Sequence, residues 1–205
     1  LDELGLTKDT IIVFTSDNGG SCMPGTPAKR PTSNYPLRAS KGWNYEGGIR
    51  IPTFITWPGK IAAMETAEPV ITMDFVPTFL EAAKSKYDPK RYDGVSLFPE
   101  LTGNGQLNRD AIYFHYPHFA FHGDNKMGSV IRSGDYKYIQ YYGGHAPVLY
   151  NLRSDIGEQH DLSQQQPARA NKLQEKLQAW LKETDAQLPR PYAEMPEKDL
   201  PGKKQ

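Results

Sequence analysis

The chain has 205 residues, enough for one domain or two modest ones. Hydrophobic residues make up 38% and charged residues 23%, a balance that excludes a disordered tail. Lys plus Arg and Asp plus Glu both number 24, so no global charge favours nucleic acid or an anionic membrane. No apolar run approaches the about 18 residues of a membrane span, and no signal peptide is visible. The single cysteine, Cys22, excludes an intrachain disulfide.

Leu1 to Leu6 reads as the end of an amphipathic helix, with Gly5 as its C-cap. There is no initiator Met, and the chain reads as a fragment that begins inside a larger fold. Thr10 to Thr15 is a continuous β-branched and aromatic run, which predicts a strand covered on both faces, as in the parallel sheet of an α/β fold. It ends in Ser16-Asp17-Asn18-Gly19-Gly20, and in open α/β sheets chemistry gathers just beyond strand carboxyl ends. Residues 21–40 are rich in Pro, Gly, Ser and Thr and read as a loop. Thr53 to Trp57 predicts a second strand, closed by Pro58-Gly59. Asp74 to Ala83 has helical spacing, with Pro77 in the first turn.

Composition shifts near Leu101-Thr102-Gly103-Asn104-Gly105. Short aromatic segments follow at 111–116, 129–132, 136–142 and 148–152, separated by turn residues, and predict an antiparallel meander. A helix from about Pro167 to Ala186, with Ala170, Leu173, Leu177, Trp180 and Leu181 on one stripe, should pack on one face of it. The tail from Leu188, with four prolines, reads as extended. The expected partition is therefore 1–105, 106–187 and 188–205.

Asp17 and Asn18 offer hard oxygen ligands suited to Ca²⁺, less so to Mg²⁺, but two residues fall short of the about 6–8 oxygens calcium takes. The same four residues also read as a tight turn, with Asx hydrogen bonds and glycines at positive φ. Lys41 can neutralise a sulfate or phosphate oxygen, or be simply solvated. Glu46 and Arg50 read as a structural pair. His115, His118 and His122 invite a zinc reading, yet no further ligands or supporting partners accompany them. His145 and His160 read as surface residues. The run Tyr136 to Tyr142 fits a half-buried strand better than a base-stacking surface.

Taken in order, Phe14 to Gly20, Lys41-Gly42 and Tyr45-Glu46-Gly47-Gly48-Ile49-Arg50-Ile51-Pro52 resemble the sulfatase family. So do Gly134-Asp135-Tyr136-Lys137-Tyr138, Leu149-Tyr150-Asn151-Leu152, Asp155 and Glu158. The resemblance runs from the first residue to about Leu162 and continues into the last helix. It implies the C-terminal part of an alkaline-phosphatase-like α/β sandwich (1–105), then a small four-stranded antiparallel sheet with a packed C-terminal helix (106–187). It further implies a calcium-dependent sulfuric ester hydrolase acting on a sulfated sugar or aryl sulfate. In that family a cysteine converted to formylglycine is the nucleophile.

By the family pattern Asp17 and Asn18 look like calcium ligands, and Lys41 like the catalytic lysine on the sulfate oxygens. The segment with His115, His118 and His122 is placed near the active-site mouth, where one of them, His115 or His118 first, would touch substrate; the other reading for each is a structural or rim role. The nucleophile motif Cys-x-Pro-x-Arg is expected upstream. Cys22-Met23-Pro24-Gly25-Thr26 imitates it but carries Thr26 where arginine belongs, so Cys22 reads as an ordinary loop cysteine. The implied partners are a sulfate ester and the N-terminal remainder of the protein, with neither nucleic acid nor membrane, and the implied location is periplasmic or secreted. The chain alone is then expected to be inactive. The alternatives are a phosphodiesterase or phosphonate hydrolase of the same superfamily, and a non-catalytic relative that binds anionic glycans.

Overall fold

The structure is a computed structural model describing residues 1–22, 32–119 and 125–190. In chain order the elements are β1 (Ile12–Phe14), α1 (Glu46–Ile49), β2 (Phe54–Thr56), α2 (Phe75–Ala82), α3 (Phe98–Leu101), β3 (Ile112–Tyr116), β4 (Gly128–Ser133), β5 (Tyr136–Tyr141), β6 (Val148–Asn151) and α4 (Pro167–Glu183). They fall into two compact units that interleave along the chain: Leu1–Ser16 with Pro52–Ile112, and Asp17–Ile51 with Tyr113–Gln205. Contacts thus divide differently from the linear cut at 105/106. The segment carrying Asp17, Asn18 and Lys41 clusters with the C-terminal sheet.

In the first unit Asp2–Leu4 forms a 3₁₀ turn closed by Gly5 in the left-handed region, φ 67°. β1 and β2 pair antiparallel, with Val13 opposite Ile55 and Phe14 opposite Phe54. The two-face burial expected of β1 is not found: Ile12 is 46% and Phe14 65% exposed. Alternation puts both on one face of the ribbon, and among the described residues β2 is the strand that pairs with β1. α2 begins after Asp74, with Pro77 in its first turn where its missing N–H breaks no helical bond. Asp74 is fully buried and accepts from the Ile71 and Val95 N–H groups, both at 2.9 Å. Arg109 binds both its oxygens, at 2.6 and 2.9 Å.

The second unit is built on a four-stranded sheet in the order β3-β4-β5-β6. β4 and β5 pair antiparallel with Val130 opposite Ile139, and β5 and β6 with Tyr138 opposite Leu149. One face carries Ile131, Tyr138 and Leu149, all buried. α4 lies against β4 and β5. Its buried stripe is Ala170, Leu173, Leu177 and Leu181. Trp180 stacks on Tyr113 at 4.8 Å, and Arg169 sits 3.8 Å over the Tyr136 ring.

The opposite face carries Val130, Arg132, Lys137, Ile139, Val148 and Tyr150, by the same register. A half-buried sheet would expose it, but it is covered. Tyr45 joins Val130, Ile139, Tyr150 and Leu152 in one buried cluster, with Ala39 and Trp43 packed alongside. The aromatic run of β5 therefore belongs to a strand buried on both sides, because the segment before α1 folds back onto it.

Candidate active site

Asp17 to Gly20 follows β1 in the chain, and three backbone layers meet here. The Gly19 N–H donates to Gly48 O at 2.9 Å, and the Lys41 N–H donates to Gly20 O at 3.2 Å. The Gly47 N–H donates to Arg38 O at 2.8 Å. Asn34 ties the layers from the side: Gly20 N–H donates to its Oδ1 (3.1 Å), while its Nδ2 donates to Gly20 O (2.9 Å) and Ala39 O (3.1 Å).

These contacts leave no space for side chains. A Cβ on Gly19 would overlap Gly47 O, one on Gly47 would overlap Arg38 O and Ala39 O, and one on Gly48 would overlap Trp43 O. Neither Gly19 nor Gly20 takes a positive φ; in this region Gly42 (φ 89°) and Ala39 (φ 62°) do. Gly19 thus serves close backbone approach, and Gly20 close approach by the Thr32 and Asn34 side chains, instead of the left-handed turn geometry expected of them.

Asp17 is exposed, and Asn18 and Lys41 are half-buried. Asn18 Nδ2 donates to Gly19 O at 3.2 Å. Asp17, Asn18 and Lys41 belong to one unit, and the Gly20–Lys41 backbone bond joins their segments directly. Together Asp17 and Asn18 offer hard oxygens of the type Ca²⁺ takes, fewer than the about 6–8 of a full shell. Among the described residues no group of three or more His, Cys, Asp or Glu side chains gathers to hold a metal.

Beneath the turn lies an ion cluster. Lys137 is fully buried, and its Nζ stands 3.0 Å from Glu46 Oε1 and 2.9 Å from Glu158 Oε1. Glu158 Oε2 accepts the Glu46 N–H at 2.6 Å. Arg50 and Arg132 approach Glu46 Oε2 at 3.5 and 4.0 Å, so the expected Glu46–Arg50 pair is present but is one arm of a larger network. Burial raises the Glu46 carboxyl, but Lys137, Arg132 and Arg50 outweigh it and hold it below its ordinary value. Burial keeps the Glu158 carboxyl above its ordinary value despite Lys137.

The loop that delivers Glu158 is built for that task. Asp155 accepts the N–H groups of Gln159 (3.0 Å) and His160 (2.8 Å), and Glu158 itself takes φ 52°. Arg38 donates to Glu158 O at 2.7 Å and lies 4.0 Å over the Tyr45 ring. Lys137 and Glu158 stand in the motifs that carry the family resemblance, which by themselves give neither residue a role. The usable signal was a lysine at the same strand parity as buried Ile139.

Both ring nitrogens of His115 are engaged: Nε2 donates to Gln187 O at 2.9 Å, and Nδ1 pairs with Ser129 Oγ at 2.7 Å. His118 is exposed and packs on Tyr116, ring centres 4.0 Å apart. His122 lies outside the described residues. His145 is exposed, and His160 is 82% exposed beside Asp155. Cys22 Sγ lies 3.1 Å from Thr32 O. No helix among the described residues is long and apolar enough to cross a membrane.

The family described as N-sulphoglucosamine sulphohydrolase, C-terminal, matches residues 39–187. A sulfatase of Formosa agariphila is 36% identical over 199 residues, covering 89% of this chain and 34% of that protein. Human arylsulfatase A is 32% identical over 184 residues, covering 79% of this chain and 35% of its own length. The chain thus spans about a third of the length of these curated relatives. A protein solved in complex with its substrate D-glucosamine-2-N,6-O-disulfate superposes with a TM-score of 0.70 at 27% identity, over 91% of this chain and 37% of that one. Matching in sequence and in fold, the chain belongs to the sulfatase family, as a C-terminal portion of its alkaline-phosphatase-like fold.

Proposed function

We propose that the protein containing this chain hydrolyses sulfate esters, and that residues 17–41 supply the cation-binding and anion-binding half of its site. The observation that carries this reading is the Lys41 N–H bond to Gly20 O, which locks the lysine segment against the Asp17-Asn18 turn. Asp17, through its carboxylate, and Asn18, through Oδ1, would be two of the oxygen ligands of a calcium ion. When bound, that ion supplies Lewis-acid polarisation of a sulfate oxygen. Lys41 holds a second sulfate oxygen and offsets the negative charge that develops on the leaving oxygen. The nucleophile, a formylglycine by family, comes from outside these residues, so the 205-residue chain alone is inactive.

Sulfated hexosamines are the favoured substrate class, because a structural relative was solved with a sulfated glucosamine and the matching family is named for sulphoglucosamine hydrolysis. Aryl sulfates are the second class, from the likeness to arylsulfatase A. His118 is the better placed histidine for substrate contact, since both ring nitrogens of His115 are already bonded. The test is sulfate release by the intact protein from a sulfated glucosamine and from an aryl sulfate, with calcium and with a chelator. Turnover should require calcium, and Lys41→Ala or Asp17→Ala should lower kcat by about 10²–10³-fold. Faster turnover of phosphate diesters would reassign the site to phosphodiesterase chemistry. Binding of sulfated glycan with turnover of neither ester would make it a non-catalytic relative.

A further inference from the structure

We infer that Lys137, Glu46 and Glu158 are positioning residues: their buried ion cluster fixes the Asp17-Asn18 turn from beneath, through a relay made only of backbone. The inference rests on the reading of Asp17, Asn18 and Lys41 given above, and assigns a task to charges that the chemistry itself does not use.

Burying ions is costly, and a well-packed apolar trio often serves stability as well or better. Lys137 and Glu158 are nevertheless fully buried, and Glu46 is 2% exposed. The cluster joins three separate pieces of chain: Lys137 on β5, Glu46 at the start of α1, and Glu158 in the loop after β6. Glu46 is the member that the chain itself joins to Gly47 and Gly48, and its position is over-determined. Its N–H is held by Glu158 and one carboxylate oxygen by Lys137. Arg50 and Arg132 approach the other oxygen.

Movement of Glu46 passes on without cushioning. Gly47 and Gly48 follow it directly, packed so closely that a Cβ on either would overlap the carbonyls of Arg38, Ala39 or Trp43. Gly48 O receives the Gly19 N–H, and Gly20 O receives that of Lys41. Flexible side chains would absorb a shift of a few tenths of an ångström, whereas backbone stacked on backbone does not. A site must hold its groups to about 0.5 Å, which supporting residues of this kind achieve. The sheet thereby sets the spacing between the oxygen pair and the lysine.

The experiment uses the intact protein and compares Lys137→Met and Glu158→Gln with Leu177→Ala, a core truncation in α4 that touches none of the cluster. Two quantities are read: the calcium concentration for half-saturation in calorimetry, and hydrogen exchange at the Gly19 amide, both at matched loss of thermal stability. Lys137→Met should raise the calcium requirement about tenfold or more and speed Gly19 exchange, while Leu177→Ala changes neither. Glu158→Gln keeps an oxygen for the Glu46 N–H, so it folds even if Lys137→Met does not, and should move both readouts severalfold the same way. If both cluster variants behave as Leu177→Ala does, the cluster only stabilises the fold and the inference is overturned. If the wild-type protein binds no calcium and cleaves no sulfate ester, the functional reading fails on its own, and Gly19 exchange still decides the positioning role.

Discussion

Glu46 and Glu158 share one ammonium group yet shift in opposite directions. Glu46 has two further cations nearby and sits below its ordinary 4.5, while burial keeps Glu158 above its ordinary 4.5. A lowered carboxyl contributes stability above its unfolded pKa and loses it as pH falls through the folded value. A raised carboxyl contributes fully below its unfolded pKa and loses that contribution as pH rises through the folded value. The pair therefore contributes most to the folded state near 4.5, losing the Glu46 share as pH falls from there and the Glu158 share as pH rises.

Lys137→Met removes the largest attraction that lowers Glu46 and the one that opposes burial at Glu158, so both buried carboxyls ionise less readily. The variant should lose about 3–5 kcal/mol near neutral pH, and part of that loss should return by about pH 5 as the carboxyls take up protons. Denaturant unfolding at several pH values measures this, and a loss independent of pH would show that the charges do not interact as described. Gly19→Ala probes the same region by shape alone. Its methyl would overlap Gly47 O, and overpacking of this kind costs about 1–3 kcal/mol or more. Calcium affinity should fall further in Gly19→Ala than in Gly5→Ala, where a Cβ meets nothing within 4 Å.

At the scale of elements, α4 and the sheet carry the second unit. Leu177 is fully buried on the face α4 turns to β4 and β5. Leu177→Ala should cost about 2–5 kcal/mol, measured by denaturant titration, with the midpoint falling and the slope unchanged. The helix was legible in sequence because its stripe repeats at 3.6 residues, and the four strands because turn residues punctuate alternating aromatic runs. The burial of Lys137 was not. Alternation fixes the face on which a side chain lies but not what covers that face, and the cover here comes from Trp43 and Tyr45, some ninety positions earlier. The glycine cradle was half legible for the same reason. The motif announced a turn with glycines at positive φ, and the carbonyls of Gly47, Arg38, Ala39 and Trp43 make it close approach instead.

At the scale of the whole molecule, the first unit presents apolar surface that its own residues do not cover. Phe14 is 65% exposed, its cross-strand partner Phe54 66%, and Ile12 46%, all on one face of the β1–β2 ribbon. The two rings touch each other, centres 6.2 Å apart, and little else shields them. Contiguous apolar surface of this kind marks contact with other protein, and among the described residues the ribbon has two strands, each with an edge that invites further pairing. The 205-residue chain by itself should therefore self-associate as concentration rises, seen as a growing mass in light scattering after size exclusion. Replacing both rings, Phe14→Glu with Phe54→Glu, should restore a monomer. Because both side chains are exposed, the fold should change little in stability, each substitution lying within about 0.5 kcal/mol. A wild-type chain that stays monomeric at every concentration would show that the ribbon face is tolerated in water. Association that survives the double substitution would place the sticky surface elsewhere on the chain.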